Sequence, residues 1–579
     1  MGPGSLALGP RQAKALESLR PQAAGAQVRI DPALIAHAQG YRLLVRPQGI
    51  VILAHDDAAA FYAAITLRQL LRQAPGRRLP CLRTEDWPDL PVRGYMLDIS
   101  RDRVPTMPRL LRLVDFLAEL KINQLQLYTE HTFAYRRHRT VWSQASPLTP
   151  AEIRRLDIYC RQRHIELVPN QNSFGHMGRW LKHPAYQHLA EAPDGFTTPW
   201  GDFSPVSSTL CPGDPRSLRF IAGLYDELLP NFSSRLFNVG CDETWDLGAG
   251  RSRAACKKRG KHRVYLDFLR RIHRLVQERG RTMQFWGDII LHQPELIAHL
   301  PADVIALEWG YEANHPFVEH MRQFATSGIA TYVCPGTSTW NSLVARTDNA
   351  LANLRQAATA GVAHGAVGYL ITDWGDNGHL QPPSTSVLPL AFGAAAAWHL
   401  AANDDVPALL ESVNTHFFHD PAGALARLVF DLGNAHLATG VTTGNASVLG
   451  ELLWRSPGHT HAWMSKATTQ GFLRARRVLA ALRPRLKRIR LEGPEGRIVR
   501  AEFTFVLDLL ALAADVGAAC CRGQDRRVVA IPAPQRHPLA RRLKPLLAEH
   551  RRLWLISSRP GGLPDSLGRL EALYAALNA

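Results

Sequence analysis

The middle of the chain alternates between short apolar runs and helical patterns. Eight candidate strands lie between Pro88 and Leu400, at residues 94–100, 122–128, 164–170, 235–240, 282–287, 304–310, 329–335 and 366–372. In one of the intervening helical patterns Thr149 is placed as the cap, Pro150 as the first helical residue and Glu152 as the partner that completes a capping box. Eight such units predict an α/β fold, a (β/α)8 TIM barrel, with an open doubly wound sheet as the alternative.

Zones with other patterns lie on both sides of this barrel zone. Before it, residues 41–55 contain two β-type runs around the turn Pro47–Gly49, followed by a helical pattern capped at Asp57 or its neighbour. After it, helical periodicity continues with almost no strand signal. At 579 residues the chain is too long for one core. We therefore predict a small N-terminal α+β accessory domain (1–88), the barrel (89–400) and a C-terminal α-helical domain (401–579).

The formal net charge of +18 raises the question of a polyanionic partner. The arginines are densest in residues 473–491, where leucines and alanines recur between them at helical spacing. This pattern favours a solvated helix face, so we predict no nucleic-acid partner. We also recognise no apolar run of bilayer length and predict no membrane partner. Because the first residues lack a basic start and an apolar core, we expect a cytoplasmic protein, or a periplasmic one if a signal was removed.

The cysteines and histidines show no metal-binding pattern. Eight cysteines are scattered, only Cys520 and Cys521 are adjacent, and no pair is separated by two residues. This argues against a disulfide framework and against a cysteine zinc site, and it favours free buried thiols. We therefore predict no metal and no cofactor.

Polar, charged and tryptophan residues lie at or after the ends of the predicted strands, and Arg93 stands at the start of the first strand. In chain order the residues at or after the strand ends are Asp98, Arg101, Asp102, Glu130, His131, Asn170, Asn172, His176, Asp242, Glu243, Trp286, Asp288, Trp309, Thr337, Trp340, Asp373, Trp374 and Asp376. In a TIM barrel the carboxyl ends of the strands form one rim, and chemistry takes place there. Carboxylates hydrogen-bond sugar hydroxyls, and aromatic faces pack on the C–H faces of a pyranose ring. The rim therefore predicts a carbohydrate pocket.

Asp242 and Glu243 stand side by side where a buried strand stops. Neighbouring residues of a regular strand point to opposite faces, so both acids reach one substrate only if the chain turns at Gly240–Cys241. A glycine permits such a turn. The alternative is that one acid points inward as a member of an ion pair and the other caps the next helix.

These motifs together resemble the family 20 β-N-acetylhexosaminidases. The family's fourth barrel strand ends with His or Asn, a glycine pair and then Asp-Glu; the stretch here is "NVGCDE", with Cys241 in place of the second glycine. The stretches "VRGYMLDISRDRVPT", "QLYTEH", "NSFGHMG" and "TDWGDNGH" are similar to the family's first-, second-, third- and eighth-strand motifs. The N-terminal zone resembles the family's accessory domain, so the resemblance spans residues 25–390.

The resemblance implies a retaining exo-β-N-acetylhexosaminidase that removes terminal β-linked GlcNAc or GalNAc from an oligosaccharide or glycoconjugate. In this family the substrate's own 2-acetamido oxygen attacks and gives an oxazolinium intermediate. Glu243 then matches the general acid and base, and Asp242 matches the residue that orients the acetamide. Glu130 and His176 match a supporting carboxylate–histidine pair, although the family usually has Asp where Glu130 stands.

The resemblance also implies substrate-binding residues. Arg93 and Asp376 would bind the outer hydroxyls of the sugar, with Asp376 one methylene shorter than the family's Glu. Candidates for the walls around the ring are Trp286, Trp309, Trp340 and Trp374. The family's tyrosine that binds the acetamide oxygen has no clear match, since the nearby Tyr332 falls inside the seventh strand.

Two other functions stay open at this point. One is a barrel glycosidase with a modified or non-acetamido sugar preference, which the departures at Cys241 and Asp376 leave open. The other is a noncatalytic carbohydrate-binding or polyanion-binding protein, and a homodimer is compatible with all three functions. The turn-rich segment Arg559–Ser566 is predicted as a helix–helix loop, with the further hypothesis that it reaches a barrel mouth, its own or a partner's.

Overall fold

The computed structural model describes residues 26–74, 76 and 78–579, so residues 1–25 of the predicted accessory domain lie outside the described residues. Its first unit is a four-stranded sheet of Ala26–Ile30, Tyr41–Arg46, Gly49–Ala54 and Leu82–Asp86, packed against the helix Asp57–Gln73. The two predicted β-runs form the antiparallel hairpin, and the two edge strands were not predicted. The side chain of Asp56, the neighbour of Asp57, caps the helix.

The middle of the chain forms a barrel of eight parallel strands. They are Arg93–Asp98, Gln124–Tyr128, Glu166–Val168, Leu236–Asn238, Thr282–Trp286, Ile305–Trp309, Ala330–Cys334 and Gly368–Asp373. A parallel bridge between Asn170 and Asn238 closes the sheet between the third and fourth strands. The predicted (β/α)8 fold is therefore confirmed, and the open-sheet alternative is wrong.

Helices cover the outside of the barrel. The helices between and after the strands are Met107–Glu119, Pro150–Arg161, Pro215–Leu228, Lys261–Gln277, Phe317–Thr326, Thr347–Ala363 and Val387–Asn403, with short helices at Arg139–Trp142, Gly178–Leu181, Pro184–Gln187, Arg253–Arg259 and Asp288–Leu291. The capping box predicted for Thr149 and Glu152 is present. After the fifth strand the long helix is replaced by Asp288–Leu291 and the 3-10 turn Pro294–His299.

The described residues after Asn403 form a helical region. Its helices are Val406–Val413, Leu425–Gly433, Val448–Trp454, Thr469–Arg488, Gly496–Cys520, Ala533–Ser557 and Leu563–Asn578. In the arginine-rich helix, Leu479, Leu482 and Leu486 are buried, which confirms the amphipathic pattern. Arg476 pairs with Asp515 of the next helix at 3.0 Å, so part of the positive charge is neutralised inside the fold.

Within the described residues, two helical segments are long and apolar enough to cross a membrane by length and composition, Pro383–Asn403 and Gly496–Cys520. The sequence prediction that no such run exists was therefore wrong. In the structure, most of each apolar stretch is buried inside the protein: 67% of the stretch in the first helix and 83% of that in the second. Core burial accounts for this composition, because a helix that is apolar on all sides is what the centre of a large fold requires.

The turn-rich segment at 559–566 reaches the mouth of its own barrel. Arg559 donates its backbone N–H to Val104 at 2.8 Å and a guanidinium N–H to Pro147 at 2.8 Å. Beyond the turn, Asp565 pairs with Arg179, which also pairs with Asp102 at 2.7 Å. The segment is thus a helix–helix connection that also holds loops at the carboxyl ends of the first three strands.

We predict that Gly562→Ala loosens this docking. Gly562 has φ +75°, and a Cβ there would lie 1.9 Å from the carbonyl oxygen of Asp102. The left-handed backbone and the overlap together should cost about 2–4 kcal/mol in the free energy of unfolding. Thermal unfolding of the variant should begin at a clearly lower temperature than that of the unaltered protein.

Gly568→Ala in the next helix is the matched control. No atom lies within 4 Å of a Cβ built at Gly568, and alanine favours a helix interior. This variant should be as stable as the unaltered protein or slightly more stable. Equal melting temperatures for the two variants would contradict the docking.

Candidate active site

A sharp turn ends the fourth barrel strand. The strand stops at Asn238, and Gly240, Cys241 and Glu243 all have left-handed backbones, with φ of +67°, +72° and +48°. A Cβ on Gly240 would lie 1.7 Å from the side-chain oxygen of Asn172, so only glycine fits there. Cys241 is buried and occupies the left-handed position without a second glycine. The predicted turn is therefore present, and it redirects the two acids that follow.

Both acids meet one histidine. Asp242 Oδ2 lies 3.1 Å from His176 Nε2, and Glu243 Oε2 lies 3.3 Å from the same nitrogen. The next helix, Arg253–Arg259, begins after Ser252, so neither acid caps it. The structure therefore brings the side chains of Asp242, Glu243 and His176 together, as the sequence predicted. The alternative is wrong about the helix cap, although buried Asp242 does pair with His176.

The second oxygen of Asp242 has no partner. Asp242 is 5% exposed, and its buried Oδ1 accepts no hydrogen bond from any described residue. A buried acceptor left unpaired costs about 1–3 kcal/mol. An N–H donor on a bound ligand would remove this cost, so Oδ1 marks where a donor is expected.

Burial and charge set the proton positions in this cavity. Burial alone would lower the pKa of His176, but the Asp242 carboxylate, with a smaller effect of Glu243, raises it to about 9. Burial raises the pKa of Glu243 to about 7; His176 opposes this shift and Asp242 adds to it. Burial, with repulsion from Asp242 and Glu243, also raises the pKa of Asp288 well above its usual value. Near neutral pH, His176 is therefore charged and Glu243 can hold a proton.

Glu130 and His176 form a pair, as predicted, but only at long range. Glu130 Oε1 lies 3.9 Å from His176 Nδ1, beyond hydrogen-bond distance. Instead it accepts a hydrogen bond from the Tyr128 hydroxyl at 3.0 Å and lies 3.3 Å from Arg101 Nε. Glu130 is therefore part of the site, but it acts on His176 across a longer distance and through the neighbouring Arg101.

Arg93 lies away from this cavity, so its predicted role in substrate binding is wrong. It starts the first strand, at the opposite end of the barrel, and is 0% exposed. Its guanidinium donates to the carbonyls of Leu90 and Lys121 and to the side chain of Gln39. It also lies over the Trp398 ring, at 4.9 Å. Arg93 thus joins the barrel bottom to the N-terminal sheet unit.

Arg101 occupies the place that Arg93 was expected to fill. It follows the first strand, pairs with Asp98 at 3.1 Å, and lies 4.5 Å from the centre of the Tyr128 ring and 5.0 Å from that of Trp374. The signal was available, because Arg101 stands directly after the strand, where rim residues belong. Asp376 lies in the same charged group, where Arg101 opposes the rise that burial causes in its pKa.

The four predicted tryptophans belong to one aromatic cluster at this end of the barrel. The cluster contains Trp286, Trp309, Trp340 and Trp374 together with Tyr128, Tyr311 and Tyr332. Trp286 and Trp340 are fully buried and form its base, whereas Trp309 is partly exposed. The structure therefore brings the four tryptophans together, although Trp286 and Trp340 are buried beneath the surface of the cluster.

Tyr311 is the residue of this cluster that the sequence analysis missed. It lies two residues beyond the sixth strand, is 8% exposed, and its hydroxyl accepts a hydrogen bond from Trp374 Nε1 at 2.7 Å. Burial raises the pKa of Tyr311 well above its usual value, so it keeps a proton to donate. Tyr332, by contrast, is buried within the seventh strand and bonds to Gln124.

Two further aromatic rings extend from the cavity toward solvent. The Trp245 ring lies 6.1 Å from His176 and 4.7 Å from Trp200, measured between ring centres. Trp200 is 66% exposed and is carried by the loop between the short strands Phe196–Thr197 and Phe203–Ser204. These rings offer apolar faces next to the acids.

In the part of the chain that the structure describes, two groups of three residues have the spacing of metal ligands: His176 with Asp242 and Glu243, and Glu308 with His315 and His320. The first group consists of the acids and the histidine described above, in which the raised pKa values of His176 and Glu243 suit acid–base chemistry. The second lies outside the cavity.

Family models match two consecutive parts of the chain. The model "Glycosyl hydrolase family 20, catalytic domain" matches residues 90–358, and "Glycosyl hydrolase family 20, domain 2" matches residues 7–87. The boundary between them falls just before the first barrel strand.

Curated and solved relatives agree with these matches. A "Beta-hexosaminidase" of Akkermansia muciniphila is 28% identical over 290 residues, which are 44% of this chain and 57% of that protein. The chain thus spans about half the length of this curated relative. The structure of Flavobacterium johnsoniae chitobiase has a TM-score of 0.58 at 16% identity and covers 96% of this chain and 94% of its own.

A second structure, an exo-β-N-acetylglucosaminidase from Vibrio harveyi, has a TM-score of 0.57 at 18% identity and covers 72% of each chain. At these identities the solved structures support the fold. The two family models, by contrast, match the sequence itself and together exceed half of the chain. On that basis the chain belongs to glycosyl hydrolase family 20.

Proposed function

We propose that this chain is a retaining exo-β-N-acetylhexosaminidase that releases terminal, non-reducing, β-linked GlcNAc or GalNAc from an oligosaccharide or glycoconjugate. The observation that carries the proposal is the buried, unpaired Oδ1 of Asp242 beside Glu243. Sugars without nitrogen offer only hydroxyl donors at carbon 2, whereas a 2-acetamido group offers an amide N–H and a nucleophilic carbonyl oxygen. The curated relative named a hexosaminidase supports the same assignment.

In the first step, Glu243 gives its proton to the glycosidic oxygen as the C1–O bond breaks. The acetamide carbonyl oxygen forms a new bond to C1, and the positive charge spreads over the resulting oxazolinium ring. Asp242 accepts a hydrogen bond from the amide N–H and stabilises that positive charge. The free alcohol leaves with the proton from Glu243.

In the second step, water attacks C1 and the bond to the acetamide oxygen breaks. Glu243, now a carboxylate, takes a proton from the water and returns to its starting state. Two inversions at C1 give net retention. The pKa of about 7 suits Glu243 to both halves, because it can give a proton and take one back near neutral pH.

Other residues hold the groups that react. His176 orients Asp242, since its Nε2 lies 3.1 Å from Oδ2. Tyr311, which keeps its proton, is our candidate donor to the acetamide carbonyl oxygen. Arg101 and Asp376 would bind outer hydroxyls, and Trp374 would face the ring or the acetamide methyl.

We predict that Glu243→Gln lowers kcat/KM by at least about 100-fold on N,N′-diacetylchitobiose, because the alcohol then leaves without a proton. On an aryl β-GlcNAc with a strongly acidic phenol, kcat/KM should fall much less, since that leaving group needs little protonation. The comparison is made from initial rates on the two substrates. An equal loss on both would contradict the role of Glu243 as the acid.

Asp242→Asn tests the acetamide step separately. The amide side chain cannot stabilise the oxazolinium charge, so we expect a loss of at least about 100-fold on both substrates, without rescue by azide. Aryl β-glucoside should not be hydrolysed by the unaltered protein, because it lacks the nucleophile. A glycosyl adduct of the protein in mass spectra would refute the mechanism, and absence of turnover on every hexosaminide would favour a noncatalytic binding protein.

The pH dependence of kcat/KM should show a basic limb set by Glu243. Above about pH 7 the acid loses its proton, so kcat/KM should fall by about tenfold per pH unit. His176→Gln removes a positive charge that lowers the pKa of Glu243. In that variant the limb should move to higher pH while the maximum rate falls, and a limb that stays or moves to lower pH would exclude this coupling.

The two arginines give a matched pair of variants. Arg101→Met should raise KM or lower kcat by at least about tenfold on aryl β-GlcNAc, because the residue lies in the cavity. Arg93→Met should instead lower the melting temperature and leave KM nearly unchanged, because the guanidinium is bound by carbonyls at the other end of the barrel. A large rise in KM in the Arg93 variant would restore the role first predicted for it.

A further inference from the structure

A second group of convergent side chains lies on the outer side of the sixth barrel strand. His315 Nε2 and His320 Nδ1 each lie 2.6 Å from the same oxygen, Oε1 of Glu308. The side chain of Glu308 is 1% exposed, and those of the two histidines are 19% and 25% exposed. The group therefore has a buried carboxylate at its base and two imidazoles that reach solvent.

Three separate elements supply the group. Glu308 lies in the strand between Leu307 and Trp309, which belong to the aromatic cluster inside the barrel, so its side chain points outward. His315 lies in the loop that follows, and His320 lies in the first turn of the helix Phe317–Thr326. Because strand, loop and helix each give one ligand, the sequence shows no compact motif.

Gly310 makes room for this arrangement. A Cβ at Gly310 would lie 2.1 Å from two atoms of the His315 ring, Cγ and Nδ1. The imidazole thus packs directly on the backbone at the end of the strand, with its other nitrogen turned to Glu308. Any larger residue at position 310 would displace His315 from the carboxylate.

We propose that Glu308, His315 and His320 form a binding site for a first-row divalent cation of the Zn²⁺ type. Two imidazoles and one carboxylate are a donor set that Zn²⁺ accepts, with a fourth position left for water. The three ligand atoms lie within 4.8 Å of one another, and the exposed side of the histidines gives an entry path. Tetrahedral coordination places ligand atoms about 3.3 Å apart, so each imidazole nitrogen would move about 0.7 Å away from Glu308 Oε1.

The cation would act on the wall of the active-site cavity. The loop between Gly310 and Pro316 carries Tyr311, whose hydroxyl bonds to Trp374, and Glu312, which pairs with Arg346 at 2.8 Å. A cation on Glu308 and His315 would hold both ends of this loop to the strand and the helix. The site is thus a structural support for Tyr311, and its occupancy is independent of whether the proposed hydrolysis is correct.

The test is a titration of the metal-stripped, full-length protein with Zn²⁺ by calorimetry at pH 7.5, followed by Co²⁺ titration with absorption spectra. We expect one strong site per chain, the d–d bands of four- or five-coordinate Co²⁺ with nitrogen ligands, and a melting temperature that rises with Zn²⁺ concentration. Glu308→Gln and His320→Asn should each weaken Zn²⁺ binding by at least about 100-fold. His320→Asn changes a partly exposed residue, so it remains informative if Glu308→Gln does not fold.

Two control variants separate this site from others in the chain. His273 Nε2 lies 2.8 Å from Asp303 without a third ligand, so His273→Gln should bind Zn²⁺ as the unaltered protein does. Glu243→Gln should also retain the strong site, because the active-site group is separate. The proposal is overturned if Zn²⁺ does not bind, if His320→Asn binds equally well, or if Glu243→Gln alone abolishes binding.

Discussion

The turn at the end of the fourth barrel strand is the constraint on which the active site depends. A continuous strand would send Asp242 and Glu243 to opposite faces, one into the barrel and one toward the helices. The left-handed residues from Gly240 onward break that alternation and direct both acids to His176. The close approach of Asn172 leaves no space for a side chain at Gly240, so the third and fourth strand ends are locked together there.

In the active site around this turn, buried carboxylates outnumber the cations that lie near them. The carboxylates of Asp98, Glu130, Asp242 and Glu243 lie near two cations, Arg101 and His176. Buried like charges cannot all ionise at low cost, and burial raises the pKa of Glu243 to about 7 and those of Asp288 and Asp376 above their usual values. The side chain of Glu243 is 31% exposed, which places its transferable proton where a substrate can reach it.

The C-terminal helices are part of this architecture rather than an appendage. The connection at 559–566 fastens the loops after the first three strands, and the Asp565–Arg179–Asp102 chain ends one residue from Arg101. On the other side of the mouth, Asn445 accepts the indole N–H of Trp340 and donates its backbone N–H to Glu312. The aromatic wall therefore depends on contacts with residues far away in the sequence.

Periodicity and strand-end position were enough to predict the barrel, its eight strands within a few residues, and the cavity formed by Asp242, Glu243, His176 and the tryptophans. These features are local, because strands and helices follow from the spacing of apolar residues, and parallel strands bring their carboxyl ends to one rim. The wrong predictions concern residues whose role depends on the end of the barrel at which they lie and on how deeply their side chains are buried. Arg93 and Arg101 border opposite ends of the first strand; the sequence order already placed Arg101 after the carboxyl end, and the tertiary structure shows that Arg93 is bound by carbonyl groups at the other end of the barrel.

The sequence alone therefore determined the type of fold, the family motif and the end of the barrel where chemistry takes place. The tertiary structure alone decided that Tyr311 joins the aromatic wall, that Glu130 stands 3.9 Å from His176, and that Glu308 gathers two histidines. The physical reason is that backbone periodicity is encoded by near neighbours, whereas hydrogen-bond distances and burial are set by side chains that meet only when distant segments pack.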